Sequence, residues 1–270
     1  AAENHPISFR WVTKAMEERG AKLICVDPRQ NRTTAKADIY ARMRSGTDIA
    51  FIGGMIHYVL EDMRKNPENY NTEYVSQYTN AAYIVKPQVL PGDNNGVFSG
   101  WNADTKKYDK TAWDYNGGNS PAAEQKLLTS NWSGWSNRAN DDQATAWGEL
   151  NASCVLRLMH EHYKRYDLAT VSNITGVSQE KLTEVYSEYA KTGAKNKAGT
   201  IMYAMGITQH TYGSQNIRAF SILQSLLGNM GVAGGGINAL RGTSNVQGST
   251  DFALLSHIIP GYIGVPNDTD

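Results

Sequence analysis

The sequence predicts an α/β protein: a three-layer α/β/α arrangement around a parallel, Rossmann-like sheet, interrupted by one long irregular insertion. Three observations predict it. Short continuous apolar runs end in polar or glycine residues, as buried parallel strands do. Segments of helical periodicity alternate with those runs, the rhythm of a doubly wound sheet. Between them lies a stretch rich in Gly, Asn, Asp, Ser and Trp that has little periodicity of either kind.

The elements follow in order. Pro6 suits the first turn of a helix, and Phe9, Val12, Ala15 and Met16 recur at helical spacing until Gly20 stops it. AKLICVDP (21–28) reads as a buried strand with a polar carboxyl end, and DIYARM (38–43) as a second. After SGTD (45–48), the segment IAFIGGMIHYVLEDM is helical, with Thr47 or Asp48 as N-cap. Residues 1–86 thus form a first α/β segment and 87–150 the insertion. Trp101 and four further tryptophans between Trp113 and Trp147 predict that the insertion is ordered rather than solvated. Residues 151–270 return through helices at 152–166 and 178–193, the latter capped by Ser178, to a strand at 199–206 and a helix at 214–231. VAGGGINALRGTSNVQGSTD then reads as a glycine-rich, non-periodic loop.

Composition narrows the function classes. The chain has 270 residues, 40% of them hydrophobic, enough for a substantial core. Lys plus Arg and Asp plus Glu both number 26, so net charge offers nucleic acid or an anionic membrane no bulk attraction. With no apolar run of spanning length and no basic-then-apolar start, the reading is of a chain that neither inserts in a membrane nor carries its own export signal. Cys25 and Cys154 are the only cysteines, so no CxxC pair and no four-cysteine cluster arises from this chain.

Four places have residues suited to binding. At the first strand's end, Asp27, Pro28 and Arg29 stand where open α/β sheets bind ligands, and an acid there accepts hydrogen bonds from a ribose or a guanine edge. The competing reading is a turn cap with a solvated arginine. Gly46, Thr47 and Asp48 precede a helix whose free N–H groups suit phosphate, or simply cap it. Met205, Gly206, Thr208, Gln209 and His210 follow a second strand: the glycine lets a ligand reach the backbone, and the amides and hydroxyl suit a heteroatom-rich ring. His210 is either a proton relay or an ordinary hydrogen-bonded loop residue. Arg241, between Leu240 and Gly242 and followed by Thr243, Ser244, Asn245 and Gln247, suits a small anion held by one fixed charge and several directional bonds. His160, Glu161 and His162 are not HExxH and read as surface residues, and DNNG at 93–96 reads as a turn rather than a calcium loop.

Taken in order, AAENHP, CVDPRQNRTTAKADIYARMRSGTD, MGITQHTYGSQNIR and LLGNMGVAGGGINALRGTSNVQGSTD resemble successive blocks of the catalytic subunits of molybdenum- or tungsten-dependent formate dehydrogenases, in the molybdopterin oxidoreductase superfamily. The insertion, with FSGWNADTKKYDKTAWDY, is similar to that of the exported respiratory enzymes. The resemblance covers nearly the whole chain and implies one internal part of such a subunit, inactive alone. It implies molybdopterin guanine dinucleotide, two per complete subunit, with Asp27, Pro28, Arg29, Gly46 and Asp48 at the guanosine end of one. Met205, Gly206, Gln209 and Gln247 match positions near pterin and phosphate, and Arg241 matches the arginine that holds formate. The metal, molybdenum or tungsten, and a [4Fe–4S] cluster would be ligated by residues outside this sequence. Implied partners are the remainder of the catalytic subunit, an iron–sulfur electron-transfer subunit and formate, in the periplasm. TSN after the arginine and glycine departs from the family's frequent QNN, which leaves the polar contacts beside Arg241 open. Two alternatives stand beside this: the corresponding region of another family member such as a nitrate reductase, and a stand-alone nucleotide-binding module.

Overall fold

The computed structural model describes residues 1–81, 101–102, 104–108, 155–240, 246–254 and 258–268. Helix α1 spans Pro6–Arg19 with proline in its first turn, and Gly20 closes it at φ +64°, donating its N–H back to Ala15 and Met16. Strand β1 (Ile24–Val26) pairs in parallel with β2 (Ile39–Ala41), Ile24 opposite Ile39 and Val26 opposite Ala41. Both are shorter than the apolar runs that predicted them. Their carboxyl ends lie side by side, the first requirement of a strand-end site.

Helix α2 (Asp48–Lys65) is the centre of the molecule. Its sequence is apolar almost all round, and Phe51, Ile52, Met55, Ile56, Val59, Leu60 and Met63 are all buried, as befits a helix with neighbours on several sides. Those neighbours are helices of the C-terminal half: α4 (Val155–Tyr163), α5 (Leu168–Thr175), α6 (Gln179–Ala190) and α8 (Gly213–Leu226). The short α3 (Thr72–Tyr78) precedes the insertion, and α7 (Met205–Thr208) is a single turn. Leu156, Val171, Leu182, Val185, Tyr186 and Leu223 complete one continuous core. Gly54 shows how tightly α2 is held: a Cβ there would stand 2.7 Å from the Tyr186 hydroxyl oxygen, and that hydroxyl donates to the Phe51 carbonyl at 2.7 Å.

A second parallel pair joins β5 (Thr200–Tyr203) to β6 (Gly236–Ala239), Thr200 opposite Gly236 and Tyr203 opposite Ala239. One buried amide organises its start. Gln224 on α8 donates to the Gly199 carbonyl at 2.8 Å and the Gly236 carbonyl at 2.6 Å, while its own oxygen accepts from Tyr189 and Asn229, each at 2.9 Å. Asn229 in turn accepts from the Gly199 N–H at 3.0 Å, so every polar atom of this buried network has a partner. Within the segment read as the insertion, β3 (Trp101–Asn102) and β4 (Lys107–Tyr108) make a short antiparallel hairpin. The Leu156 N–H donates to the Ala81 carbonyl at 3.0 Å, so the chain leaves and re-enters the core at neighbouring points. Near the C-terminus follow α9 (Val246–Asp251) and an antiparallel β7 (Ile258–Ile259) and β8 (Ile263–Gly264).

Four readings are corrected. Residues 236–239, read as loop, form β6; a strand of Gly, Ile, Asn and Ala carries almost no periodicity, and its partner strand supplies the order. The strand expected over 199–206 stops at Tyr203 and the chain turns into α7. Helix α5 was absent from the reading; its Asp167 caps it by accepting from Thr170 N–H at 2.7 Å, and Gly176 ends it at φ +74°. His160, read as a surface residue, is buried against α2 and hydrogen-bonded to Glu61. Ser178 does cap α6, accepting from the Lys181 N–H at 3.3 Å. The DNNG turn lies outside the described residues.

Candidate functional site

The first strand end is a tight polar turn. The Asp27 carboxylate accepts from the Arg29 N–H at 2.8 Å and the Asn31 side chain at 2.9 Å, so the turn-cap role is filled while part of its acceptor capacity stays open. Tyr40 donates to the Asp27 carbonyl at 3.0 Å and Arg42 to that of Pro28 at 3.2 Å. Pro28, Arg29, Gln30, Tyr40 and Arg42 line a cleft of about 660 Å³. Tyr40 and Arg42 were not singled out from sequence; the alternation of ADIYARMR, which places them beside Asp27 across parallel strands, is the signal that carried them. Burial, with help from the Asp27 charge, pushes the Cys25 thiol up to about 11, which removes it from thiolate chemistry at neutral pH.

The loop after β2 leads to Asp48. Arg44 spans it, donating to the carbonyls of Asn173 at 2.6 Å and Ile174 at 3.1 Å, where a cation satisfies the exposed acceptors at the end of α5. Gly46 adopts φ +78°. Thr47 occupies the N-cap position but its hydroxyl donates back to the Arg44 carbonyl at 2.7 Å instead of capping α2. Asp48, the first residue of α2, is 5% exposed, and its Oδ2 has no hydrogen-bond donor among the described residues. Burial raises its carboxyl above the usual range, against the opposing pull of its own N–H and of His210.

The second strand pair brings its own loop to the same place. His210 Nε2 donates to the Gly206 carbonyl at 2.9 Å and stands 3.8 Å from Asp48 Oδ2. Met205, Gly206 and Gln209 are exposed along α7, with the Gln209 amide 3.3 Å from the Met205 sulfur. A Cβ at Gly206 would meet nothing within 4 Å, so its openness serves approach from outside and not internal packing. Gly213 is the opposite case: a Cβ there would lie 2.2 Å from the Thr208 carbonyl oxygen, which only glycine permits. Asn216, missed from sequence as one amide on an amphipathic helix, is buried; it donates to the Ile207 carbonyl at 3.3 Å and its Oδ1 has no partner among the described residues.

Of the predicted residues, Asp48, Gly206 and His210 are therefore brought together from two separate strand-end loops, with Met205 and Gln209 on the same turn. Asp27, Pro28 and Arg29 form their own cleft beside the first pair. Arg241 lies outside the described residues, but the Leu240 N–H before it donates to the Tyr203 carbonyl at 2.7 Å, which continues the β5–β6 pairing to its threshold. Gln247 lies in α9. Among the described residues no group of three or more His, Cys, Asp or Glu side chains is arranged to hold a metal ion, and no helix is long and apolar enough to cross a membrane.

The molybdopterin oxidoreductase family model matches residues 1–261. The chain is 50% identical over 267 residues to the formate dehydrogenase subunit alpha of Megalodesulfovibrio gigas, covering 97% of this chain and 23% of that protein. It is 46% identical over 269 residues to the formate dehydrogenase 2 subunit alpha (cytochrome c-553) of Nitratidesulfovibrio vulgaris, 98% of this chain and 24% of that protein. Against the formate dehydrogenase-O major subunit of Escherichia coli the identity is 44% over 268 residues, 99% of this chain and 24% of that protein. The chain thus spans about a quarter of the length of these relatives. On the extent of the family match and on these identities, the chain belongs to the molybdopterin oxidoreductase family.

Proposed function

We propose that this chain is the cofactor-holding and substrate-orienting part of a formate dehydrogenase catalytic subunit. The observation that carries the reading is Asp48: a buried carboxylate oxygen without a donor, at the meeting of two strand-end loops, calls for a ligand that brings N–H groups to it. The amino and imino groups of a guanine or pterin are such donors. Gly46 and Gly206, where an added Cβ meets open space, leave room for a bulky ring and its phosphates.

In this reading Asp27, Pro28, Arg29, Gly46 and Asp48 hold the guanosine end of one molybdopterin guanine dinucleotide. Arg42 adds a second cation to the cleft beside Arg29. Met205, Gly206, Gln209 and Gln247 lie along the phosphate and pterin. Arg241 takes the formate carboxylate: a planar, permanently charged donor pair fixes both oxygens, turns the C–H toward the metal and does not titrate. Molybdenum or tungsten, when bound, would supply the acceptor for the two electrons that are released, together with one proton, as formate becomes carbon dioxide. By the family resemblance its protein ligand would come from sequence beyond these residues, as would the cysteines of a [4Fe–4S] cluster that carries the electrons onward, for which Cys25 and Cys154 are too few. An iron–sulfur electron-transfer subunit as acceptor, a periplasmic location and a role in anaerobic respiration belong to the same reading; the names of relatives described as alpha or major subunits support a multi-subunit assembly.

The test is made on the full-length protein. Metal analysis should find molybdenum or tungsten, acid release should yield guanine nucleotide in about twofold excess over metal, as expected of a cofactor bound twice, and formate should drive dye reduction. Absence of both metals, or turnover with nitrate and none with formate, would contradict it.

A further inference from the structure

Among the described residues two buried side-chain oxygens have no hydrogen-bond donor, Asp48 Oδ2 and Asn216 Oδ1. They belong to different helices but meet the same loop. Asp48 opens α2, Asn216 lies in the first turn of α8, and the two helices pack against each other. His210, between α7 and α8, stands 3.8 Å from Asp48 Oδ2, and Asn216 Nδ2 donates to the Ile207 carbonyl of α7 at 3.3 Å. That bond also fixes which way the Asn216 amide points, since a flipped amide would set its oxygen against the Ile207 carbonyl oxygen. Asn216 is 2% exposed, so solvent does not relieve its Oδ1.

A buried acceptor without a donor is a cost that folded chains seldom carry, and two of them beside one loop point to a partner that arrives with donors. The turn between them is suited to giving way. Helix α7 is a single turn with no buried residue and no side-chain cap, and its Gly206 faces open space. We propose that Asn216 is a further binding residue of the site and that, with Asp48, it accepts from a ring edge bearing several N–H groups, such as the amino and imino groups of a 2-aminopyrimidinone. The inference rests on the proposed function and names the ring edge that the site takes. As the ring enters, α7 shifts, Asn216 keeps its hold on Ile207 through Nδ2, and Oδ1 receives one of the ring's N–H groups.

The experiment compares Asn216→Leu, which removes both bonding groups, with Asn216→Asp, which keeps an acceptor and loses the donor, in the full-length protein prepared with and without cofactor. Guanine nucleotide and metal per protein should fall several-fold in Asn216→Leu and stay near the original level in Asn216→Asp. Without cofactor, Asn216→Leu should melt no lower than the unaltered protein, because the oxygen it lacks had no donor there. Full retention of nucleotide in Asn216→Leu, or equal loss in both variants, would overturn the proposal. So would a lowered melting temperature of cofactor-free Asn216→Leu, which would show that water or another part of the polypeptide supplies the donor. Should Asn216→Leu fail to fold, Asn216→Ala, which any helix accepts, is read in its place; failure of both would show that Asn216 belongs to the core and would end the proposal. Absence of guanine nucleotide from the unaltered protein would instead contradict the proposed function, and this inference with it.

Discussion

At the scale of single residues, the chain's most informative side chain is Asp48. Its burial without a donor for Oδ2 among the described residues is a cost, and on the proposed function a bound heterocycle would relieve it. For an acid whose folded pKa is raised, the penalty is present above that pKa and disappears as pH falls through it. Asp48→Asn is therefore expected to stabilise the cofactor-free protein by about 1 kcal/mol near neutral pH, with the gain shrinking in acid, while lowering the guanine nucleotide content of the purified enzyme. Denaturant melts at pH 7.5 and pH 5, beside nucleotide analysis, check both. A variant that is less stable at both pH values would show that the carboxylate is structural.

Glu61 behaves in the contrary direction. Burial pushes its carboxyl up, but hydrogen bonds from His160 and Arg64 outweigh that and bring it to about 2. A depressed carboxyl contributes stability above its unfolded pKa of about 4.3, and loses it as pH falls toward 2. With its side chain 24% exposed, Glu61 is sheltered enough for this to matter, on the order of 3 kcal/mol at most. Glu61→Gln should destabilise the protein by about that amount at pH 7, by nearly as much at pH 4 and by much less near pH 2, as denaturant melts across that range will read.

At the scale of elements, the parallel pairs stand on devices that a periodicity reading passes over. Gln224 ties the starts of β5 and β6 together through two carbonyls. Gln224→Leu strands both acceptors and the Tyr189 hydroxyl in the core and is expected to cost about 3 kcal/mol or more, measurable as a lowered denaturant midpoint. Gly213→Ala drives a Cβ into the Thr208 carbonyl and should shift α7. Its expected signature is loss of cofactor from the full-length protein together with a lowered melting temperature, since a lost ligand takes its stabilisation with it; retention of cofactor would show that the α7 turn does not depend on that close approach.

These devices also explain what was legible in the sequence. Helix α1 was readable to its last residue because Pro6 and Gly20 punctuate it, and α2 because its apolar run is long. Strand β6 was not, since Gly236, Ile237, Asn238 and Ala239 have no pattern of their own and are ordered by β5 and Gln224. His160 looked like a solvated residue because its partner, Glu61, is far away in sequence. At the site, Asp48 and His210 were each visible as loop residues with an ordinary explanation. Their approach to 3.8 Å across the two strand pairs is a tertiary fact that no local spacing encodes.

At the scale of the whole molecule, one core formed by both halves of the chain presents two sets of strand-end loops, and the proposed function asks each to hold a different stretch of the same extended cofactor. On the proposed function the division of labour would be that this region supplies the cradle and the orienting arginine, with the metal ligand supplied from elsewhere in the polypeptide. The measurement that tests it most directly is formate-dependent dye reduction by the full-length enzyme carrying Arg241→Lys, with metal and guanine nucleotide content determined on the same samples. Lysine keeps the charge but loses the planar two-point grip, so kcat/KM for formate should fall about a hundredfold or more while metal and nucleotide stay at their original levels. A variant that oxidises formate as well as the unaltered enzyme would contradict the account.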